Sequence, residues 1–255
     1  MMVSIIMPAH NAAAYIQGAI DSVLAQSWTD FELLILDDCS TDSTVEIIRD
    51  YTDSRIRLHV LENNLGAAAT RNYGIRQAKG RYLAFLDSDD CWKPEKLKLQ
   101  LAFMQENKVV LSYTAYDVMS ADGKQITGRV DVPESVNYRY LLRNTIIGCL
   151  TVMIDTKQTG LVQMPDFKGA EDTATWLSIL KEGHVAKGLT EPLALYRKGN
   201  TSLSSNKIQM AKHIWRVYRE NQNMSIFTAL THFPFYLWNG LVKHLQTGGS
   251  VKLVK

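Results

Sequence analysis

"YLAFLDSDDCWKP", residues 82–94, is the stretch on which the fold turns. Five mostly apolar residues run straight into three acids within four positions. Asp87, Asp89 and Asp90 repel one another at neutral pH, so stacking them is unfavourable unless a cation, a set of donors or free water compensates. A solvated turn and a metal site both meet that condition, and the segment alone does not choose between them. Its pattern of a short buried strand ending in polar residues recurs upstream. Val3–Met7 is an apolar run ending at Pro8, with Ala9, His10 and Asn11 behind it. Phe31–Leu36 ends in Asp37-Asp38, and Ile56–Leu61 is a third run.

Helical patterns separate these strands. Asn11 is a candidate cap for a helix in which Ile16, Ala19, Ile20, Val23 and Leu24 recur on one face. "CSTDSTVEII" offers Ser and Thr caps for the next, and "ENNLGAAATRNYGIRQAKG" reads as a turn and a helix closed by Gly80, with Gly66 and Gly74 as backbone-permissive positions. Strand and helix alternate in units of about 25 residues, the signature of a parallel, Rossmann-like sheet. Ligands of such sheets sit beyond the carboxyl ends of the strands. His10-Asn11, Asp37-Asp38 and Asp87–Asp90 are therefore expected to converge.

The pattern then changes. Val109–Met119 reads as a strand, "SADG" as a turn and Lys124–Val130 as its hairpin partner. Ser135–Arg143 reads as a short helix, Thr151–Ile154 as a strand, "KGAEDTATWLSILKEG" as a loop and helix ended by Gly183, and Leu193–Tyr196 as a last strand. The second half is mixed rather than parallel.

The chain has 255 residues, 46% of them hydrophobic and 21% charged, which suits one large α/β domain or two small ones. Of 28 Lys/Arg and 26 Asp/Glu, seven and one respectively lie from Lys207 onward, leaving 21 against 25 before it. A slightly acidic body thus carries a basic tail. Cys39, Cys91 and Cys149 form no ligand spacing and read as free thiols of a reducing compartment. "MMVSIIMPAHN" lacks the basic start and long apolar core of a signal peptide, and no run approaches the roughly 18 apolar residues of a membrane span.

In order and spacing, "SIIMPAHNAAAYIQGAIDSVLAQSW", "LLILDDCSTDST", "NLGAAATRNYGIRQAKGRYLAFLDSDDCWKPEKL", the "ED" of "KGAEDTATW" and "YRKGNTSLS" resemble the inverting family 2 glycosyltransferases of GT-A fold. The resemblance spans roughly residues 3–205. It implies an α/β chain whose Rossmann-like nucleotide-binding parallel sheet continues into a mixed acceptor-side sheet. A catalytic domain would occupy 1–206, its nucleotide-sugar half about 1–107 and its acceptor half about 108–206. The implied reaction moves a hexose from a UDP-sugar, UDP-glucose or UDP-galactose favoured, to a lipid-linked (polyprenyl pyrophosphate) saccharide in bacterial O-antigen, capsule or exopolysaccharide assembly.

That chemistry gives the acids work. Loss of the donor's nucleotide leaves a dianion, and Mn2+ or Mg2+ held between carboxylate and pyrophosphate neutralises it. By resemblance Asp87-Ser88-Asp89 is the DxD motif, Asp89 the direct ligand and Asp87 the contact to ribose or to a metal-bound water, with Asp90 ordering the loop. Asp38 is the expected acceptor for the uracil N3–H, which would reject cytosine. Pro8 and Ala9 bring main chain to the base, and His10 either stacks there or hydrogen-bonds. Arg71 is expected to reach base or phosphate, a surface arginine being the alternative. Inversion needs one base to deprotonate the acceptor hydroxyl. By resemblance that base is Asp172, with Glu171 on acceptor or sugar and Trp176 either an acceptor platform or core. Arg197 or Lys198 would meet the diphosphate, with Ser202 and Ser204 adding donors. A non-catalytic nucleotide-sugar binding subunit of a membrane complex is the competing reading. A nucleotidyltransferase would need a Gly-rich phosphate loop that "PAHNAAAYI" lacks.

The basic tail, 207–255, is expected to be helical and amphipathic, with Ile226, Leu230, Phe233, Leu237 and Leu241 on one stripe and Lys212, Arg216, Arg219, Lys243, Lys252 and Lys255 supplying charge. It suits either an anionic membrane surface or packing on the catalytic domain, and no motif suggests nucleic acid. The expected location is cytoplasmic, peripheral at the inner face of the cell membrane.

Overall fold

The computed structural model describes residues 2–198 and 207–246. Ser202, Ser204, Lys252 and Lys255 lie outside the described residues, as do the side chains of Leu241 and Lys243. The first half alternates as the sequence pattern predicts: β1 (Val3–Ala9), α1 (Ile16–Leu24), β2 (Phe31–Asp37), α2 (Thr44–Arg49), β3 (Ile56–Val60), α3 (Ala67–Gln77) and β4 (Tyr82–Phe85). Then follow β5 (Cys91–Trp92), α4 (Lys96–Asn107), β6 (Leu111–Met119), β7 (Ile126–Val130), β8 (Ser135–Val136), α5 (Tyr138–Leu141), β9 (Met153–Asp155), α6 (Thr156–Thr159), α7 (Glu171–Lys181) and β10 (Ala186–Arg197). The C-terminal region is α8 (Lys207–Arg216), a π-type turn at Val217–Asn221 and α9 (Ile226–Gln246).

One sheet runs through the domain in the order β3-β2-β1-β4-β9-β6-β10-β5, with β7 beside β6 and β8 beside β10. The first four strands are parallel, β9 is antiparallel to both neighbours, and β10 runs parallel to β6. Every residue of β2 is buried, because helices cover both faces. Ile16, Ala19, Ile20 and Val23 of α1 and Leu97, Leu101 and Met104 of α4 pack under Val3, Ile5, Met7, Leu33 and Ile35. Ile6, Leu34, Leu36 and Phe85 face the other core, with Ile75 of α3 and Trp176 and Leu177 of α7. Each such aliphatic side chain contributes roughly 1.5–3 kcal/mol by leaving water.

Several local expectations are corrected. Asn11 does not cap α1, which begins at Ile16 with Tyr15 at the N-cap; Asn11 holds a φ of 49° and its side chain accepts from the Thr41 amide at 2.8 Å. Asp42, not Ser or Thr, accepts from the Thr44 amide at the start of α2. Gly80 does not close α3, whose C-cap is Ala78. A Cβ at Gly80 would stand 2.7 Å from the Met2 carbonyl oxygen and the Ser4 nitrogen, so glycine is required there for backbone approach. At Gly74 a Cβ would instead meet side chains, Leu36 at 2.8 Å and Ile6 at 3.0 Å, so glycine there lets α3 pack closely on β1 and β2; of these glycines Gly66, with a φ of 79°, is the permissive position. Ser135–Arg143 is a two-residue strand and one helical turn rather than one helix.

α4 carries no assignment in the sequence reading. Its buried face is Lys96, Leu97, Gln100, Leu101 and Met104, so two polar residues interrupt the apolar stripe. Lys96 is fully buried; its ammonium lies 4.1 Å over the Trp92 ring and donates to Gln100 Oε1 at 2.7 Å. The tail packs on the domain through Ala229, His232 and Tyr236 while Phe227, Leu230, Phe235 and Trp238 face outward. Phe233, predicted on one stripe with Ile226, Leu230 and Leu237, instead turns inward against Trp215, Tyr218 and Tyr236.

Candidate active site

The parallel order puts β1 between β2 and β4, so the polar residues after all three strands meet at one sheet edge. The Asp38 amide donates to the Ala9 carbonyl at 2.8 Å, and His10 Nδ1 lies 2.8 Å from the Asp38 carbonyl oxygen. His10 is thus a hydrogen-bonding residue of this edge. Asn64 closes over it, donating to the same carbonyl at 3.2 Å. The Asp38 carboxylate accepts from the Leu65 amide at 2.7 Å and the Gly66 amide at 2.9 Å. It therefore secures the turn before α3, and any base would use the remaining lone pairs of those oxygens. Asp37 is fully buried and accepts from the Ser40 amide. Leu65 escaped the sequence reading and Gly66 was read only as a backbone-permissive position; the "NLG" turn was the only signal for their amides.

After β4 the chain presents four positions with different environments. Asp87 and Ser88 are half-buried, Asp89 reaches solvent, and Asp90 is buried. Asp90 ties the loop down by accepting from the Arg197 amide at 2.7 Å. Its pKa lies well above the ordinary value, through burial first and then the charges of Asp87 and Asp89. Asp89 is also raised, by lost hydration in the cleft and then by Asp87. Arg197 lies across the loop: its Nε donates to the Asp89 carbonyl at 2.6 Å, Nη1 donates to the Ala121 carbonyl at 3.0 Å, and the guanidinium sits 4.9 Å over Tyr15. Tyr15 was not foreseen, and the "SADG" turn was read as a turn but not as a contact of Arg197.

Arg71 departs most from expectation. It is neither a surface residue nor open to a nucleotide, being 6% exposed on α3. Nη2 donates to Asp87 at 2.5 Å and Nη1 to Glu171, 100 residues further along the chain from Arg71, at 2.9 Å, so one guanidinium joins the β4 loop to the start of α7. Glu171 is buried and its Oε2 has no hydrogen-bond partner among the described residues. Asp172 is half-buried, accepts from the Thr173 amide at 2.5 Å, and has its pKa raised to about 6 by burial and then by the Glu171 charge. Trp176 is corrected from acceptor platform to core: it is fully buried, its ring 5.8 Å from Phe85, and offers no surface to a sugar.

Among the described residues no three His, Cys, Asp or Glu side chains converge as a ready-made metal cage. The carboxylates nevertheless fit a hard divalent cation that a diphosphate helps to coordinate. Asp87 and Asp89 are crowded oxygen donors, and the raised pKa of Asp89 marks negative charge that its surroundings do not neutralise. The strand-end edge beside Asp38, an acidic loop whose Asp89 reaches solvent and, joined to that loop through Arg71 and Glu171, a half-buried carboxylate with a pKa suited to proton transfer make up the site.

The family profile described as Glycosyl transferase family 2 matches residues 4–159. The chain is 48% identical to TuaG of Bacillus subtilis, named for teichuronic acid biosynthesis, over 96% of this chain and 98% of that one. It is 38% identical to WfgD of Escherichia coli, named UDP-Glc:alpha-D-GlcNAc-diphosphoundecaprenol beta-1,3-glucosyltransferase, over 95% of each. Among solved structures, S. aureus TarS 1-349 superposes with a TM-score of 0.69 at 21% identity, covering 98% of this chain and 74% of that one; this likeness concerns the fold.

Proposed function

Since the chain belongs to glycosyltransferase family 2, we propose that it moves a hexose, glucose or galactose, from a UDP-sugar to a saccharide on a polyprenyl diphosphate carrier, with inversion, in the assembly of a bacterial surface polysaccharide. The observation that carries this reading is the Arg71 bridge, which joins Asp87 on the donor side to Glu171, the neighbour of Asp172, on the acceptor side. The names of TuaG and WfgD support the pathway class, and WfgD supports the donor and the lipid carrier.

In this reaction Asp172 takes the proton of the acceptor hydroxyl as that oxygen attacks the anomeric carbon. The bond from that carbon to the diphosphate oxygen breaks on the opposite face, and UDP departs. A pKa of about 6 leaves Asp172 ionised at neutral pH yet basic enough to share the proton as it transfers. Glu171, neutralised by Arg71, orients acceptor or sugar. Asp87 and Asp89 would hold Mn2+ or Mg2+, which supplies Lewis-acid stabilisation of the leaving diphosphate. Asp38 receives the uracil N3–H, and Pro8, Ala9, His10 and Asn11 form the edge around the base. Arg197 and Lys198 lie on the diphosphate side.

Attachment is peripheral, at the inner face of the membrane. Phe227 is 84% and Trp238 66% exposed on α9, a helix without a single acid, and Glu220, the one acid of the tail, is paired with Arg216. No described helix is long and apolar enough to cross a membrane. Calorimetric titration of UDP and GDP, each with and without Mn2+, tests the donor half. Mn2+-dependent binding of UDP is expected; preference for GDP would overturn the uracil assignment, and binding of neither would overturn the donor reading.

A further inference from the structure

α8 has two working faces. One packs on the segment that leads into Glu171-Asp172. His213 Nδ1 contacts the Lys168 carbonyl oxygen, the Arg216 guanidinium lies 5.4 Å over the Phe167 ring, and the Met210 sulfur sits 3.4 Å from where a Cβ on Gly169 would stand. The other face, with Ile208, Ala211, Lys212 and Trp215, meets Phe233 of α9 and the edge of Arg216 around an open groove of ≈ 460 Å³. The Trp215 and Phe233 rings form its wall, edge to face with centroids 5.1 Å apart. Ile208 is 73% exposed at its mouth. The volume falls within the roughly 300–1,000 Å³ of small-molecule sites.

We propose that this groove holds the first isoprene units of the acceptor's carrier lipid, with Lys212 against its diphosphate. The inference rests on the lipid-linked acceptor proposed above. The groove surface is wholly apolar and the exposed Lys212 stands on the same helix face, a pairing complementary to an apolar chain bearing an anionic head and to neither part alone. Arg216 is already matched by Glu220, with contacts of 2.9 and 3.0 Å, whereas no carboxylate among the described residues pairs with the exposed Lys212. The groove and the candidate base also share one support. The loop under α8 ends at Gly169, three residues before Asp172, and lies against the other face of the same helix, so groove and base are joined through α8. The outward apolar face of α9 carries the groove to the membrane surface, where a carrier chain emerges. The site therefore recognises its acceptor by the lipid as well as by the sugar.

The first assay follows tryptophan fluorescence of the full chain in metal-free buffer, titrated with farnesyl diphosphate, inorganic pyrophosphate or farnesol. Farnesyl diphosphate should bind about tenfold or more tightly than either fragment, and Ile208→Glu, Lys212→Glu and the groove-filling Ala211→Trp should each weaken it about tenfold or more, a loss of one decade in Kd. Ile208 and Lys212 are exposed, so their variants keep the fold. Equal binding of pyrophosphate, or binding that ignores all three variants, would overturn the site. The second assay compares transfer to GlcNAc diphosphate carrying undecaprenyl or a short alkyl group. Ile208→Glu and Ala211→Trp should raise KM for the undecaprenyl acceptor alone, leaving the short-alkyl KM within about twofold of the parent, whereas Lys212→Glu, facing the diphosphate common to both, should raise both acceptor KM values; kcat and donor KM should stay within about twofold throughout. An unchanged ratio of the two acceptor KM values in Ile208→Glu and Ala211→Trp would refute the groove while leaving the function intact. Transfer to neither acceptor by the parent would refute the function, and the farnesyl diphosphate titration would still decide the groove.

Discussion

Asp172→Asn should make the protein more stable and nearly inactive at once. The carboxyl rises from 3.8 to about 6 on folding, mainly through burial and then through Glu171. A group whose folded pKa is raised contributes stability below its unfolded pKa and loses it as pH rises through the folded one. At about 1.4 kcal/mol per pH unit, the ionised base costs folding up to about 3 kcal/mol at neutral pH. Because the side chain is half-buried, about 1–3 kcal/mol is the expected gain from a neutral amide. Asn keeps an oxygen for the Thr173 amide, so that contact survives. As a general base, Asp172 should be worth about 10²–10⁴ in kcat, with donor affinity untouched. Urea denaturation at pH 7.5 and at pH 4 reads the first effect: the variant should exceed the parent at pH 7.5 and lose most of its advantage at pH 4. Transfer rates read the second, and the parent's kcat should fall tenfold per unit below pH about 6. A variant that is less stable at pH 7.5, or that retains more than about a tenth of parental kcat, would refute the assignment of a half-buried base whose pKa folding raises.

Three other substitutions probe separate parts. Asp89→Ala should abolish Mn2+-dependent UDP binding in calorimetry without lowering thermal stability, because Asp89 is exposed and its charge is opposed by Asp87. Lys96 is buried without a carboxylate partner among the described residues, and its pKa is lowered to about 7 by burial. Its folded form is neutral between about 7 and 10.5, so parental stability should rise with pH across that window and Lys96→Met should remove the slope. At pH 6 the variant should gain about 2–4 kcal/mol, after subtracting roughly 1–3 kcal/mol for Gln100 Oε1 left without its donor; a flat parental profile in chemical denaturation counts against this. Trp238→Glu should reduce partition into anionic vesicles about tenfold or more in flotation assays, since a buried aromatic is worth roughly 1.5–3 kcal/mol. Unchanged flotation would move the membrane contact off α9.

The alternation of apolar runs with helical periodicity was enough to predict the parallel half of the sheet, since a strand buried on both faces can hardly be written otherwise. That sheet type, in turn, located the polar strand ends at one edge. The motifs around Asp38, Asp87–Asp89 and Glu171-Asp172 were legible because their chemistry is concentrated in adjacent residues. Partnership across the fold was not. Arg71 looks the same in sequence whether it faces solvent, nucleotide or carboxylate, and only the packing of α3 against the start of α7 commits it to Asp87 and Glu171. Trp176 and Phe233 show the same limit, because helical spacing marks an apolar stripe without saying which neighbour covers it. α4 stayed hidden because Lys96 and Gln100 satisfy each other in the interior, a compensation no local pattern records. Sequence thus determined which groups are present and roughly at which edge. Tertiary structure decided which charges are paired and which are left to meet a ligand, because burial and distance belong to pairs of residues and not to any residue alone.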